Sequence, residues 1–300
     1  MRPILESTSL TRAAVRNDDE AFFGLVVDEF ALDFENPHAV IYELTPTQAT
    51  ELGYFDFEVS ALTYANAGKT RIAVGQYAEA VIFEDGATTL ETIDPDERPV
   101  RGVAAAGPDI VACGANLRVY RRQGPDNWVE FGPGDGMRDE FPKNHLEAIA
   151  GYSGTEIYAA GRDGVIWWYD GSVWTPVQCA TNLAFISILC ADDGFVYLGG
   201  ISGIMAKGRR DEFVLFTPPS PIRDIWGLQD FQGEIYCAMT RALLTWTPED
   251  GFVPVPEAMM LAKTFYNLGK GENVLWSLGE KDVLRFDGEV WTRINQIAVA

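Results

Sequence analysis

Basic residues are scarce in this chain. Its 300 residues include 23 Lys plus Arg against 44 Asp plus Glu, a formal charge of −21. Proteins that bind nucleic acid or an anionic membrane neutralise phosphate with Lys and Arg, so neither partner is expected. Histidine is scarcer still, with only His38 and His145. A Ser-His-Asp or Cys-His system would have to be built on one of them. The four cysteines, Cys113, Cys179, Cys190 and Cys237, are far apart and form no CxxC pair. That excludes a clustered zinc site and reads as buried thiols in a reducing compartment. No run reaches the roughly 18 apolar residues of a membrane span, and "MRPILESTSLTRAAVRNDDE" lacks a signal-peptide core. Cytoplasmic location is therefore expected. A GxxxxGK[ST] loop is absent, and "GYSGTEIYAAG" reads as turn plus strand. An extended apolar period near 3.6 is missing outside the first twenty residues, which speaks against a helical architecture. No cofactor and no metal are expected, and a non-enzymatic role is the expectation.

What the chain does have is self-similarity. "EIYAAGRDGVIWWYDGSVWTPV" from Glu156 aligns with "RIAVGQYAEAVIFEDGATTLETI" from Arg71 and with stretches from Asp109, Phe195, Glu234 and Asn273. An anchor position recurs as Gly75, Gly114, Gly161, Gly200, Met239 and Gly279, at steps of 39, 47, 39, 39 and 40. Each unit contains four short apolar or aromatic runs parted by Gly, Asp and Pro turns, which is the pattern of strands. Asp–Gly pairs at 85–86, 170–171, 250–251 and 287–288 end four of the third strands, because glycine takes the positive φ of a tight connection. The fourth strand carries Trp128, Trp174, Phe213, Phe252 or Trp291. Four strands per unit at a period near 40 predict a β-propeller. Six repeats cover about 55–295. Residues 1–54 supply a divergent first blade, with "AVIYELT" from Ala39 as its third strand and "ATELG" as its fourth. The tail "QIAVA" (296–300) would add a closing strand to that blade. The expected fold is all-β: one domain over 1–300, with seven blades of four antiparallel strands.

The motifs "YDGSVW" (169–174) and "FDGEVW" (286–291), with the strands "IYAAG" and "VYLGG", resemble bacterial seven-bladed propellers of the WD40/YVTN-like and BNR-like kind. The resemblance implies the fold and leaves the subfamily open. A repeated GH…WD pair is missing. "YDGSVW" also lacks the serine two places before Asp170 that a Ser-x-Asp-x-Gly-x-x-Trp box has.

Trp167 and Trp168 are neighbours in a strand and must point to opposite faces. With Trp174 they are expected to pack between blades rather than form a ligand platform. "DPDER" (94–98) and "DD" (192–193) offer oxygen ligands for calcium but read as solvated turns. In an antiparallel meander, the turns between strands two and three share an edge with the loops leading from blade to blade. The longest of those loops is "GPGDGMRDEFPKNH", Gly132 to His145, and such insertions gather on binding faces. Met137, Arg138, Asp139, Phe141, Arg162, Asp163 and Arg241 are therefore the candidate partner-binding residues. Arg and aromatic side chains anchor interfaces, and carboxylates beside them would meet a basic partner. The expected function is a monomeric, protein-binding scaffold, in sharper form an acidic inhibitor or immunity protein that neutralises a cationic toxin. The alternative is a carbohydrate-binding or glycoside-processing propeller using its central funnel, with Asp139, Glu140 and Asp163 as carboxylates.

Overall fold

The structure, a computed structural model, describes residues 4–294 except 32, 34, 46, 135, 137–143 and 221, and the strand at 298–299. It is an all-β, seven-bladed propeller whose blades are antiparallel meanders of four strands. Blade one is β1 (Thr8–Val15), β2 (Ala21–Val27), β3 (Ala39–Leu44) and β4 (Gln48–Phe55). Blade two is β5 (Val59–Ala65), β6 (Thr70–Gly75), β7 (Glu79–Glu84) and β8 (Ala87–Thr92). Blade three is β9 (Val100–Ala106), β10 (Asp109–Gly114), β11 (Val119–Gly124) and β12 (Asn127–Glu130). Blade four is β13 (Leu146–Ser153), β14 (Glu156–Gly161), β15 (Ile166–Tyr169) and β16 (Trp174–Val177). Blade five is β17 (Phe185–Cys190), β18 (Val196–Gly200), β19 (Met205–Arg209) and β20 (Glu212–Phe216). Blade six is β21 (Ile225–Phe231), β22 (Glu234–Met239), β23 (Ala242–Thr247) and β24 (Gly251–Pro254). A helix, α1 (Pro256–Leu261), leads to blade seven: β25 (Asn267–Lys270), β26 (Leu275–Leu278), β27 (Val283–Phe286) and β28 (Trp291–Arg293). The tail strand β29 (Ala298–Val299) pairs in parallel with β4 and extends blade one to five strands.

The divergent first blade begins with β1, as the repeat pattern led one to expect: Leu10 is buried and the strand pairs with β2. The connection from blade six to blade seven, a loop by the meander pattern, instead contains the helix α1 at "VPEAMM". Pro256 opens it, where a missing N–H does no harm, and good helix formers follow.

The chain divides into two compact units, Ser60–Ile225 and Met1–Val59 with Trp226–Ala300. Within each, the core lies between the sheets of neighbouring blades. Blade four illustrates the rule. On β14 Ile157 and Ala159 face the cluster shared with blade three, while Tyr158 and Ala160 face the cluster shared with blade five. Both faces are covered, so the strand is apolar throughout rather than alternating. Trp167 enters the first cluster and Trp168 packs against the second, as adjacent strand positions require. In the other unit, blades seven and one share Trp276, Leu278, Phe23 and Leu25, and blades six and seven share Tyr236, Leu243, Leu275 and Leu284.

The outer-strand tryptophans reach the preceding blade. The Trp174 indole N–H donates to the Phe131 carbonyl at 2.8 Å, and that of Trp128 to Glu91 Oε2 at 2.8 Å. The Trp291 ring stacks on Phe286 at 4.8 Å and meets Tyr236 of blade six. Charged pairs do the same work. Arg122 clamps Glu91 through both Nε and Nη2, with 9 % and 1 % of the two side chains exposed. Arg209 clamps Glu156 at 2.8 and 3.0 Å, and Lys270 reaches Asp230 at 2.8 Å.

Candidate functional site

The anchor glycine explains how the candidate edge is built. A β-carbon at Gly114, Gly161, Gly200 or Gly279 would collide with the carbonyl of Pro99, His145, Ala184 or Thr264. Each carbonyl belongs to the loop entering that blade. Three of those carbonyls also accept the amide of the residue after the anchor: Ala115 to Pro99 at 2.8 Å, Arg162 to His145 at 2.9 Å, and Ile201 to Ala184 at 3.0 Å. The turn between strands two and three is thus stitched to the interblade loop. The two loop classes share an edge, as the meander geometry requires.

On Ser60–Ile225, Arg162 and Asp163 occupy such a turn, between β14 and β15. Asp163 has φ of +57°. Arg162 keeps half its side chain exposed while its Nε donates to Glu147 Oε1 at 2.7 Å. His145 is the returning foot of the long loop and bridges to Ala115. Burial, then the positive charge of Arg162, push the His145 imidazolium down from its ordinary pKa. Asp163 also borders a cleft of about 140 Å³ with Pro176, Gln178 and Cys179. Met137, Arg138, Asp139 and Phe141 lie outside the described residues, as does Glu140.

In the other unit Arg241 follows β22 and is exposed. It lines a pocket of about 770 Å³ with Met259, Lys263, Lys281 and Arg293 among others. Nearby, Trp226 on β21 is 41 % exposed, and its indole N–H donates to Thr240 Oγ1 beside Arg241 at 3.2 Å. Sequence reasoning did not single out Trp226, Met259, Met260 or Lys263. The Pro-Glu-Ala-Met-Met-Leu composition was the available signal for the helix that presents the methionines.

The remaining chemical candidates are spent on structure. Cys113 and Cys237 are fully buried, and burial pushes both thiols far up; Cys190 is raised to about 12 for the same reason. All four cysteines are free. In "DPDER", Pro95, Asp96 and Glu97 are exposed in a turn, and Asp94 alone is withdrawn from solvent. Asp94 is buried and accepts from Arg98 Nε at 2.8 Å and from the Tyr120 hydroxyl. Burial raises its pKa, but those hydrogen bonds outweigh it and hold the carboxylate ionised. Among the described residues no group of three or more His, Cys, Asp or Glu is placed to hold a metal. No helix among them is long and apolar enough to cross a membrane.

No protein-family profile matches the chain. It is 35 % identical over 198 residues to the "Immune protein Tsi7" of Pseudomonas aeruginosa strain PAO1. The match covers 65 % of this chain and 64 % of that protein, just under two thirds of its length. Among solved structures, YCF48 bound to a D1 peptide superposes with a TM-score of 0.70 at 14 % identity, over 96 % of this chain and 94 % of that one. The WD40 β-propeller domain of Doa1 gives 0.68 at 10 % identity, over 93 % and 92 %. These two likenesses, at 14 % and 10 % identity, are of fold alone.

Proposed function

We propose that this chain is an immunity protein: it binds a toxin and blocks it, without catalysis of its own. The observation that carries the reading is the 35 % identity to an immune protein over 198 residues. We infer further that the toxin is cationic. The formal charge of −21 supports this, because opposite charge speeds encounter and rewards ion pairs that lose water. Asp163, Arg162 and the loop residues Met137, Arg138, Asp139 and Phe141 are our candidate contacts, with Arg241 in the other unit. Four free thiols favour a reducing, cytoplasmic setting. We take residues 1–300 to act as one domain and as a monomer.

Affinity purification of the full chain from its source cells, with mass spectrometry, tests the reading. One stoichiometric partner should be recovered. Its expression alone should arrest growth, and co-expression of this chain should restore it. Recovery of no stoichiometric partner, or of one that is harmless alone, overturns the proposal.

A further inference from the structure

We propose that the pocket between blades six and seven docks an acidic peptide segment with apolar neighbours, presented by a protein partner. This goes beyond the toxin reading and has the opposite polarity, since it places cations of this chain against carboxylates of the other.

Charge comes first. In a chain of −21, Arg241, Lys263, Lys281 and Arg293 converge on one pocket. Of its two carboxylates, Asp282 is engaged by the protein itself. Asp282 Oδ2 accepts the amides of Lys263 at 2.9 Å and Thr264 at 3.1 Å, and Oδ1 accepts Arg293 at 2.6 Å. Glu280, 3.4 Å from a Ser9 hydroxyl that donates to Asp28 Oδ1 at 2.7 Å, leaves one carboxylate against the four cations. Lys281 is held by Asp28 at 2.6 Å and by the Thr8 carbonyl at 2.7 Å. Arg241 and Lys263 are exposed, and among the described residues neither side-chain charge has an acidic partner. Two of the cations are held by carboxylates of the chain and two are exposed without one, which suits a carboxylate-bearing segment.

Met259 and Ala262 line the pocket, and further apolar side chains stand near it outside the lining. Helix α1 docks through Ala258, with Ala262 just beyond it, and leaves Met259 and Met260 outward, Met260 at 79 % exposure. Methionine adapts to irregular apolar partners. Trp226 stands exposed beside Thr240 with its ring against Tyr266. Trp, Met and Arg are the residue types enriched where proteins dock. A volume of about 770 Å³ is the size of a built binding site rather than a surface dimple. The rest of the acidic surface repels such a segment, so this pocket is where it can settle.

The test is fluorescence anisotropy on the full chain at low salt. The probe is a short fluorescein-labelled peptide of alternating leucine and glutamate, with its leucine–glutamine counterpart as control. The glutamate peptide should bind saturably below about 1 mM, and the glutamine peptide about tenfold more weakly. Arg241→Glu with Lys263→Glu should weaken the glutamate peptide by about tenfold with the melting temperature unchanged, because both sites are exposed. No saturable binding, equal binding of the two peptides, or full binding by the double variant overturns the proposal. None of those results decides the toxin reading, whose candidate contacts share only Arg241 with this pocket and which has its own partner and its own assay.

Discussion

Asp163 stands at φ of +57°, a left-handed conformation that costs a residue with a β-carbon about 1–2 kcal/mol. Asn116 and Ser202 take the same conformation at φ of +55° and +57° in the equivalent turns. The strain is therefore a property of the turn and not a mark of function. Asp163→Gly should raise stability by about 0.5–1 kcal/mol, read as a higher melting temperature. The same variant should bind the toxin less well if the carboxylate faces it; a stabilised variant with unchanged affinity removes Asp163 from the interface. His145 sets a second residue-scale expectation. Its pKa is depressed in the folded chain, so between that value and the ordinary one near 6.5 the unfolded chain holds more protons. Stability contributed by the neutral ring is complete above about pH 6.5 and falls as pH drops through that window. Melting temperature should decline there, and His145→Gln should remove the His145 share of the decline. Glu91, Asp94 and Glu156, held below the usual carboxylate range against the opposing pull of burial, act only in more acid solution. The roles of Trp167, Trp168 and Trp174 were readable in sequence because strand alternation and repetition fix them. The contacts of Arg162 with Glu147 and His145 were not, because they depend on where a loop crosses a turn.

At the scale of the element, the anchor glycine and the interblade clamps decide how blades join. Gly161 lies where the His145 carbonyl crosses, so Gly161→Ala forces the loop outward. A loss of about 1–3 kcal/mol is expected in denaturant unfolding, with the adjoining Arg162 turn displaced as well. A full-stability Gly161→Ala would mean that the repeat glycine has another cause. Arg122 on β11 is the only charged partner of buried Glu91 on β8 among the described residues. Removing it as Arg122→Ala leaves an uncompensated carboxylate and should reduce stability by about 3–5 kcal/mol. Glu91→Gln in that background should recover part of the loss, since it withdraws the stranded charge. Strand existence and order were legible throughout, even in the divergent first blade, because each blade must be apolar on both faces and break at Gly, Asp or Pro. Helix α1 escaped because six residues show no periodicity, and only Pro256 and its helix-forming neighbours announced it.

For the whole molecule, the proposal of one domain predicts a single calorimetric transition in which calorimetric and van't Hoff enthalpies agree. Two transitions, one for Ser60–Ile225 and one for the remainder, would sink it. Salt should slow association with the proposed cationic toxin far more than it speeds dissociation, because long-range attraction is screened over about 8–10 Å. The sequence by itself determined the propeller. Close approach at the anchor glycine and burial on both sheet faces are local demands, repeated in blade after blade, and a repeated local demand leaves a period in the chain. The tertiary structure alone decided which polar groups meet. Glu91 with Arg122, Asp94 with Tyr120, and Arg241 with the blade-seven cations around Asp282 come from different repeats. Their encounter depends on the lateral offset of neighbouring sheets, a quantity that no repeat unit encodes within itself.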